Sequence, residues 1–162
     1  MALAYLLLGS NMGQSKSLLS IAADHIQQKA GPILLKSAIY ESEAWGKEDQ
    51  DPFLNQVLLI ESSLSASHLL HSLLQIELQM GRTRSIKWGA RIIDIDIIYF
   101  NDEIMNSTNL TIPHPSMADR KFVLIPLAEI APAFIHPILL KTNEVLLKEC
   151  GDSSVVYKKS IE

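Results

Sequence analysis

Arg91-Ile92-Ile93-Asp94-Ile95-Asp96-Ile97-Ile98 sets two acids two positions apart in an otherwise apolar, β-branched run. Such a run predicts a buried strand. Strand side chains alternate, so Asp94 and Asp96 share one face. Ionising two carboxylates on one face of a buried strand is costly unless something compensates them. A hard divalent cation such as Mg²⁺ fits, because it takes oxygen ligands and usually shares them with substrate phosphates. The alternative is neutralisation by Arg82, Arg84 and Arg91, which lie close in sequence. The cation is the favoured reading, and the arginines stay open beside it.

Working back from this strand, residues 66–80 carry Ala66, Leu69, Leu70 and Leu73 at helical spacing, with Ser65 as N-cap. Residues 53–61 and 33–41 read as strands. Residues 16–29 place Leu18, Leu19, Ala22, Ala23 and Ile26 on one helical stripe, which Gly31-Pro32 stops. Residues 3–8 read as the first strand. With 92–100 as the last, the order is β-α-β-β-α-β. That is an α+β fold with a ferredoxin-like βαββαβ core, an antiparallel sheet and helices on both faces. Beyond residue 102, prolines at 113, 115, 126, 132 and 137 predict short helices, with a late strand near 155–158.

Two connections are longer than their elements need. A hairpin takes about 2–5 residues, yet residues 42–52 separate two strands. Residues 81–91 separate a helix from a strand and hold three arginines, a lysine, Trp88 and two glycines. Loops of this length and content in a small domain point to function.

The chain's 162 residues suffice for one domain with a real core, and 1–162 reads as a single catalytic unit. No apolar run approaches the ~20 residues of a membrane span. Met1-Ala-Leu-Ala-Tyr-Leu-Leu-Leu8 lacks a basic leader region and reads as a strand rather than a signal peptide. The lone Cys150 excludes an internal disulfide, cannot form a zinc site alone, and suits a reducing cytoplasm. A net charge of -4 argues against broad nucleic-acid binding. Yet Arg82, Arg84, Lys87, Arg91, Arg120 and Lys121 fall in two short stretches, as for a small polyanion.

Other residues offer weaker signals. Phe53 and Asn55 alternate onto one strand face, where a ring could stack and an amide could read a heterocycle's edge. On spacing alone, Phe53 as core and Asn55 as a turn residue is the simpler reading. His114, fixed between Pro113 and Pro115, could donate to a phosphate or be purely structural. His25, His68, His71 and His136 read as helix-surface or loop residues. Gly9-Ser10-Asn11-Met12-Gly13 lacks the phosphate-loop pattern and reads as a tight turn or flap.

In order and spacing, Gly9-Ser10-Asn11, Phe53-Leu54-Asn55, Ile76-Glu77, Gly81-Arg82-x-Arg84, Trp88-Gly89, Arg91-x-x-Asp94-x-Asp96 and Pro113-His114 resemble the 6-hydroxymethyl-7,8-dihydropterin pyrophosphokinases. The resemblance covers roughly residues 3–137. It implies transfer of pyrophosphate from ATP to the pterin hydroxymethyl group, with AMP leaving. It implies Asp94 and Asp96 as ligands of two Mg²⁺ ions carried with ATP, and Arg82 and Arg91 as catalytic. Glu77, Arg84, Ile97, Thr111, His114 and Arg120 would bind ATP. Ser42, Trp45, Phe53, Asn55, Trp88 and Phe122 would bind the pterin. Mobile loops are implied near 11–14, 43–52 and 81–91, in a cytoplasmic monomer with neither nucleic-acid nor membrane partners. The chain departs from the family pattern at Leu74, where Gln is frequent, and at Pro115, where Tyr is common. Ser42-Glu43-Ala44 stands where Thr-Pro-Pro often does. Two further classes stay open: another metal-dependent phosphoryl or nucleotidyl transferase, and a ferredoxin-like module binding RNA.

Overall fold

Ala2–Ser10 is apolar almost throughout, as a strand covered on both faces must be, and it forms an interior strand of the sheet, β1. Ala4, Leu6 and Leu8 face one layer, while Tyr5 and Leu7 face the other. The computed structural model describes residues 1–11, 14–42, 52–81 and 92–159. After β1 come α1 (Ser15–Lys29), β2 (Ile33–Lys36), β3 (Tyr40–Ser42), β4 (Phe53–Ser62), α2 (Ala66–Gln79) and β5 (Asp94–Phe100). Then follow β6 (Met105–Asn106), β7 (Thr111–Ile112), α3 (Lys121–Ile130), α4 (Asn143–Glu149) and β8 (Val156–Lys158).

The main sheet runs β5-β1-β4-β3-β8, with β2 also on β4, and every pairing is antiparallel. This is the ferredoxin-like order expected from the sequence, extended by a late strand. One layer packs α1 and α2 on the sheet through Leu19, Ala22, Ile26, Leu69, Leu73 and Ile76. The second layer packs α3 and α4 through Val123, Leu124, Leu127 and Leu146. Each such buried Leu, Ile or Val side chain contributes roughly 1.5–3 kcal/mol. Ser65 caps α2 as expected, its hydroxyl accepting from the His68 N–H at 3.2 Å. Where α1 turns into β2, Gly31 lies at φ +152°, and a Cβ there would sit 2.0 Å from the Glu61 carbonyl oxygen. No other residue fits that approach.

Two sequence expectations need correction. The strand expected over 33–41 is two strands. Four steps from Lys36 to Tyr40 answer three along β4, so one residue is extra. Ser37 makes the break: its hydroxyl accepts from the Val57 N–H at 2.9 Å. The next amide, Ala38, leaves the sheet to donate to Glu129 of α3 at 3.0 Å. Gly9 and Ser10 are not a turn but the last residues of β1, paired on β4. The region after 102 holds the short helices expected there, the ten-residue α3 with Pro126 inside it and the seven-residue α4.

β5 contains a bulge. Tyr5 pairs with Tyr99 and Leu6 with Ile97, leaving Ile98 as the extra residue. Ile97 therefore faces α1 and α2, Ile98 and Tyr99 both face α3 and α4, and Phe100 returns to the first layer.

His136 is core rather than surface. It is buried beside Tyr99, edge to face at 5.7 Å between ring centroids. Its Nδ1 accepts from the Ile138 and Leu139 N–H groups, both at 3.1 Å. Burial holds its pKa below the ordinary histidine value. Protonation of Nδ1 would break both bonds. The stability it contributes is therefore complete above the unfolded value of about 6.5 and is lost as pH falls through the lower folded value. Asparagine presents an acceptor oxygen in a similar place without titrating. His136→Asn is expected to show a smaller fall in Tm between neutral and mildly acid solution than the unmodified protein, measured by thermal melts across pH. An unchanged fall would assign that limb to other groups.

Candidate active site

At one end of the sheet, Gly9 of β1 stands between Asn55 of β4 and Asp94 of β5, in register with both. Tyr40 of β3 continues the row beside Asn55. The next row places Asp96 beside Leu7 and Val57. Leu7 and Val57 pack in the α3/α4 layer, so the two acids and Asn55 face that side. Phe53, two residues before Asn55, shares its face and pairs with Ser42. Asp94 and Asp96 lie half-buried on a strand whose other residues are buried.

Gly9 forms the floor of this arrangement. A Cβ at Gly9 would lie 3.0 Å from Asn55 Oδ1. Its lack of a side chain leaves space between a carboxamide and a carboxylate. The sequence offered one signal for this: a glycine inside a strand often marks close approach of another group.

Asn55 is not a turn residue. It is buried within β4, and its Nδ2 donates to Ser42 Oγ at 3.0 Å. That bond ties the end of β3 to the floor and fixes the amide's plane. Glu77 of α2 is 3 % exposed, and its Oε2 accepts from the Ile95 N–H at 2.7 Å. The bond braces the backbone between the two aspartates, on the strand that ends the sheet. Ile97 packs its side chain under α1 and α2, so what it offers a ligand is backbone.

The β5 bulge anchors the histidine loop. The His114 N–H donates to the Ile98 carbonyl at 3.0 Å. His114 Nδ1 accepts from the Ser116 N–H at 3.2 Å. In the neutral ring this leaves the proton on Nε2, a donor. Burial, and next the Arg120 charge, hold the His114 pKa below its ordinary value, while Asp94 pulls the other way. His114, Arg120 and Asp94 thus feel one another across the site. Thr111 lies half-buried in β7 just before this loop. Arg120 precedes α3 and is exposed, its guanidinium carbon 5.8 Å from the Phe122 ring centre. Phe122 is half-buried at the edge of the second core.

The fold therefore gathers Asp94, Asp96, Asn55, Ser42, Phe53, His114, Arg120 and Phe122 on the α3/α4 side of the sheet. Trp45, Arg82, Arg84, Trp88 and Arg91 lie outside the described residues. Two carboxylates on one strand face, a neutral histidine donor and an arginine are the chemistry of a phosphate site. The acids suit Mg²⁺, which commonly takes one or two protein carboxylates and fills its shell with water and phosphate oxygens. Nearby, an aromatic ring and a buried amide suit a flat heterocycle with a hydrogen-bonding edge.

The sequence profile of the family described as 7,8-dihydro-6-hydroxymethylpterin-pyrophosphokinase (HPPK) matches residues 5–132. A 2-amino-4-hydroxy-6-hydroxymethyldihydropteridine pyrophosphokinase of Aquifex aeolicus is 43% identical over 141 residues, covering 87% of this chain and 88% of that protein. One from Bacillus subtilis is 45% identical over 129 residues, covering 79% of this chain and 77% of that protein. Among solved structures, a Plasmodium falciparum HPPK-DHPS triple mutant with STZ-DHP superposes with a TM-score of 0.73 at 18% identity, over 91% of this chain. This chain spans 43% of that longer one, and the likeness speaks to the fold alone. The chain belongs to the 7,8-dihydro-6-hydroxymethylpterin-pyrophosphokinase family.

Proposed function

We propose that this protein transfers the pyrophosphoryl group of ATP to 6-hydroxymethyl-7,8-dihydropterin, a step in folate biosynthesis. The hydroxymethyl oxygen attacks the β-phosphorus and gives up its proton to water, the bond from that phosphorus to the α,β-bridging oxygen breaks, and AMP leaves with that oxygen. The observation that carries this reading is the row Asn55–Gly9–Asp94 within a chain of this family. It sets the Asn55 amide and the Asp94 carboxylate on either side of a residue with no side chain, an arrangement that suits a heterocycle bound beside a phosphate chain.

Asp94 and Asp96 would hold two Mg²⁺ ions that arrive with ATP. Bound there, Mg²⁺ supplies charge neutralisation at phosphate oxygens. His114 donates Nε2–H to a phosphate and Arg120 adds its positive charge, with Arg84, Thr111 and the Ile97 backbone completing the nucleotide site. Glu77 serves it by bracing β5 and through the nucleotide ribose. Phe53 and Phe122 would stack on the pterin, Asn55 and the backbone near Ser42 and Trp45 would read its edge, and Trp88 would close over it. Arg82 and Arg91 act on the group in transfer. No strong base is required, because loose phosphoryl-transfer transition states need positioning and charge stabilisation above all. Excluding water protects ATP from hydrolysis and strengthens each of these interactions. All these residues come from one chain, so a monomeric single domain suffices, working in the cytoplasm where ATP is plentiful. Among the described residues no helix is long and apolar enough to cross a membrane.

The test is incubation with Mg-ATP and 6-hydroxymethyl-7,8-dihydropterin, followed by nucleotide analysis. AMP should appear in step with the pterin diphosphate. ADP or free pyrophosphate as the product would assign a different transfer.

A further inference from the structure

The segment 151–159 lies beyond the matched residues 5–132, and it bonds both to Lys121, the neighbour of Phe122, and to the strand that ends at Ser42. α3 begins at Lys121 with Arg120 as N-cap, and that residue makes no side-chain capping bond. Arginine has no acceptor to offer an orphan N–H. Asp152 supplies one from outside the helix: its Oδ2 accepts from the Lys121 N–H at 2.9 Å. A carboxylate at this position also suits the positive end of the helix. The other oxygen, Oδ1, accepts from the Ser154 N–H at 2.9 Å and from the Ser154 hydroxyl. These bonds hold its carboxyl below the usual aspartate range.

That turn aims the chain into β8, where Val156 pairs with Ser42 and Lys158 with Tyr40. The Lys159 N–H donates to the Ile39 carbonyl at 2.8 Å, and Lys159 Nζ lies 3.3 Å from Glu41 Oε1. At its far end α3 is tied to the same strand, because Glu129 accepts from the Ala38 N–H and the Tyr40 hydroxyl. Burial and the bond to Glu129 push that hydroxyl up to about 12, so it stays a donor. α3 is thus fastened to β3 twice, near its C-terminal end by Glu129 and at its N-terminal end by way of Asp152 and β8. Phe122 sits beside the second fastening, and Ser42 lies at the β3 end opposite it.

We propose that Asp152 is a positioning residue for the pterin pocket: one carboxylate, shared between α3 and the turn into β8, sets the spacing between Phe122 and the Ser42–Asn55 pair. This rests on the reading of function given above. Asp94, Asp96 and His114 of the nucleotide side hang on β5 and the Ile98 carbonyl, and Arg120, the residue before Lys121, is its one described member beside the clamp. Loss of the clamp should therefore weaken pterin far more than nucleotide.

The experiment measures dissociation constants of Mg-ATP and of hydroxymethyldihydropterin in the presence of a non-hydrolysable ATP analogue. The proteins are wild type, Asp152→Ala, Asp152→Asn, Ser154→Ala and Phe122→Ala. Tyr99→Phe serves as a control, since it loses a buried bond to Asn143 outside the pocket. Asp152→Ala should weaken pterin about tenfold while nucleotide changes less than about twofold, the scale of a small misplacement of a binding group. Asp152→Asn, which keeps one acceptor oxygen, should fall between, and Ser154→Ala should shift pterin in the same direction by less. Tyr99→Phe should lower Tm without separating the two constants. Should Asp152→Ala not fold, the Asn and Ser154 variants decide. Pterin affinity at wild-type strength in the folded Asp152 and Ser154 variants, with Phe122→Ala weakened, overturns the proposal alone. Equal loss for pterin and nucleotide overturns it too. Pterin binding unaffected by both Phe122→Ala and the Asp152 variants puts the pterin elsewhere and overturns the functional reading with it.

Discussion

Alanine at Asp94 or at Asp96 is expected to lower turnover by at least about 10²-fold, which is about 2.7 kcal/mol of barrier. The two carboxylates point from one strand face into the site, next to Gly9 and Leu7 of β1. On the proposed function, each removal would take away a Mg²⁺ ligand and leave its neighbour to compensate the cation alone. The strand itself should survive, because Ile93, Ile95 and Ile97 keep their burial in the α1/α2 core. Asp→Asn at either position separates charge from shape: the amide keeps one ligating oxygen and the volume but not the charge. Turnover with Asn should fall nearly as far as with Ala if charge is what holds the ion. A second readout is independent of turnover. The Mg²⁺ dependence of ATP binding should become shallower in each variant. Near-normal turnover in both alanine variants at ordinary Mg²⁺ would return the acids to the alternative reading, neutralisation by arginine.

The legible part of this site was the part carried by strand period. Asp94 and Asp96 share a face under any pairing register, because two residues of strand always return to the same side. The βαββαβ order was legible for the same reason, since helical and strand periods differ and alternate along the chain. The β5 bulge was not legible. Ile97, Ile98, Tyr99 and Phe100 are all apolar, so inserting one residue changes which face each takes without leaving a mark in the pattern. Yet the bulge decides the site, because the carbonyl of Ile98 holds the His114 loop. Gly9-Ser10-Asn11 carried turn-forming residues, and only long-range pairing with β4 and β5 draws Gly9 into the sheet. Asn55 misled in the same way: a turn former by composition, it is buried in a strand because Ser42 satisfies its amide. His136 and Asp152 act through partners given by tertiary contact or loop geometry, with no periodic signal to read. Short helices were expected after residue 102, but Pro126 gave no bounds for α3, because the helix runs through the proline while packed against β4.

Arg82 and Arg91 should separate rate from affinity. Both flank Trp88 in the segment that joins α2 to β5, and Arg91 precedes Asp94 by three residues. A guanidinium that meets the phosphoryl group only as charge develops on it lowers the barrier and leaves ground-state binding alone. Alanine at either position should therefore cut the single-turnover rate by about 10²-fold or more, the scale of one preorganised donor, while the ATP dissociation constant changes little. Arg120 and Arg84 should behave oppositely, since contacts made equally in ground and transition states appear in affinity. Lysine at 82 or 91 should recover only part of the rate, because a point charge lacks the planar fork that holds two oxygens at once. Each variant yields two numbers, a single-turnover rate and an ATP dissociation constant. A loss of affinity with no loss of rate at Arg82 and Arg91 would make them substrate-binding residues. The barrier would then have to be lowered by the aspartate pair and His114 alone.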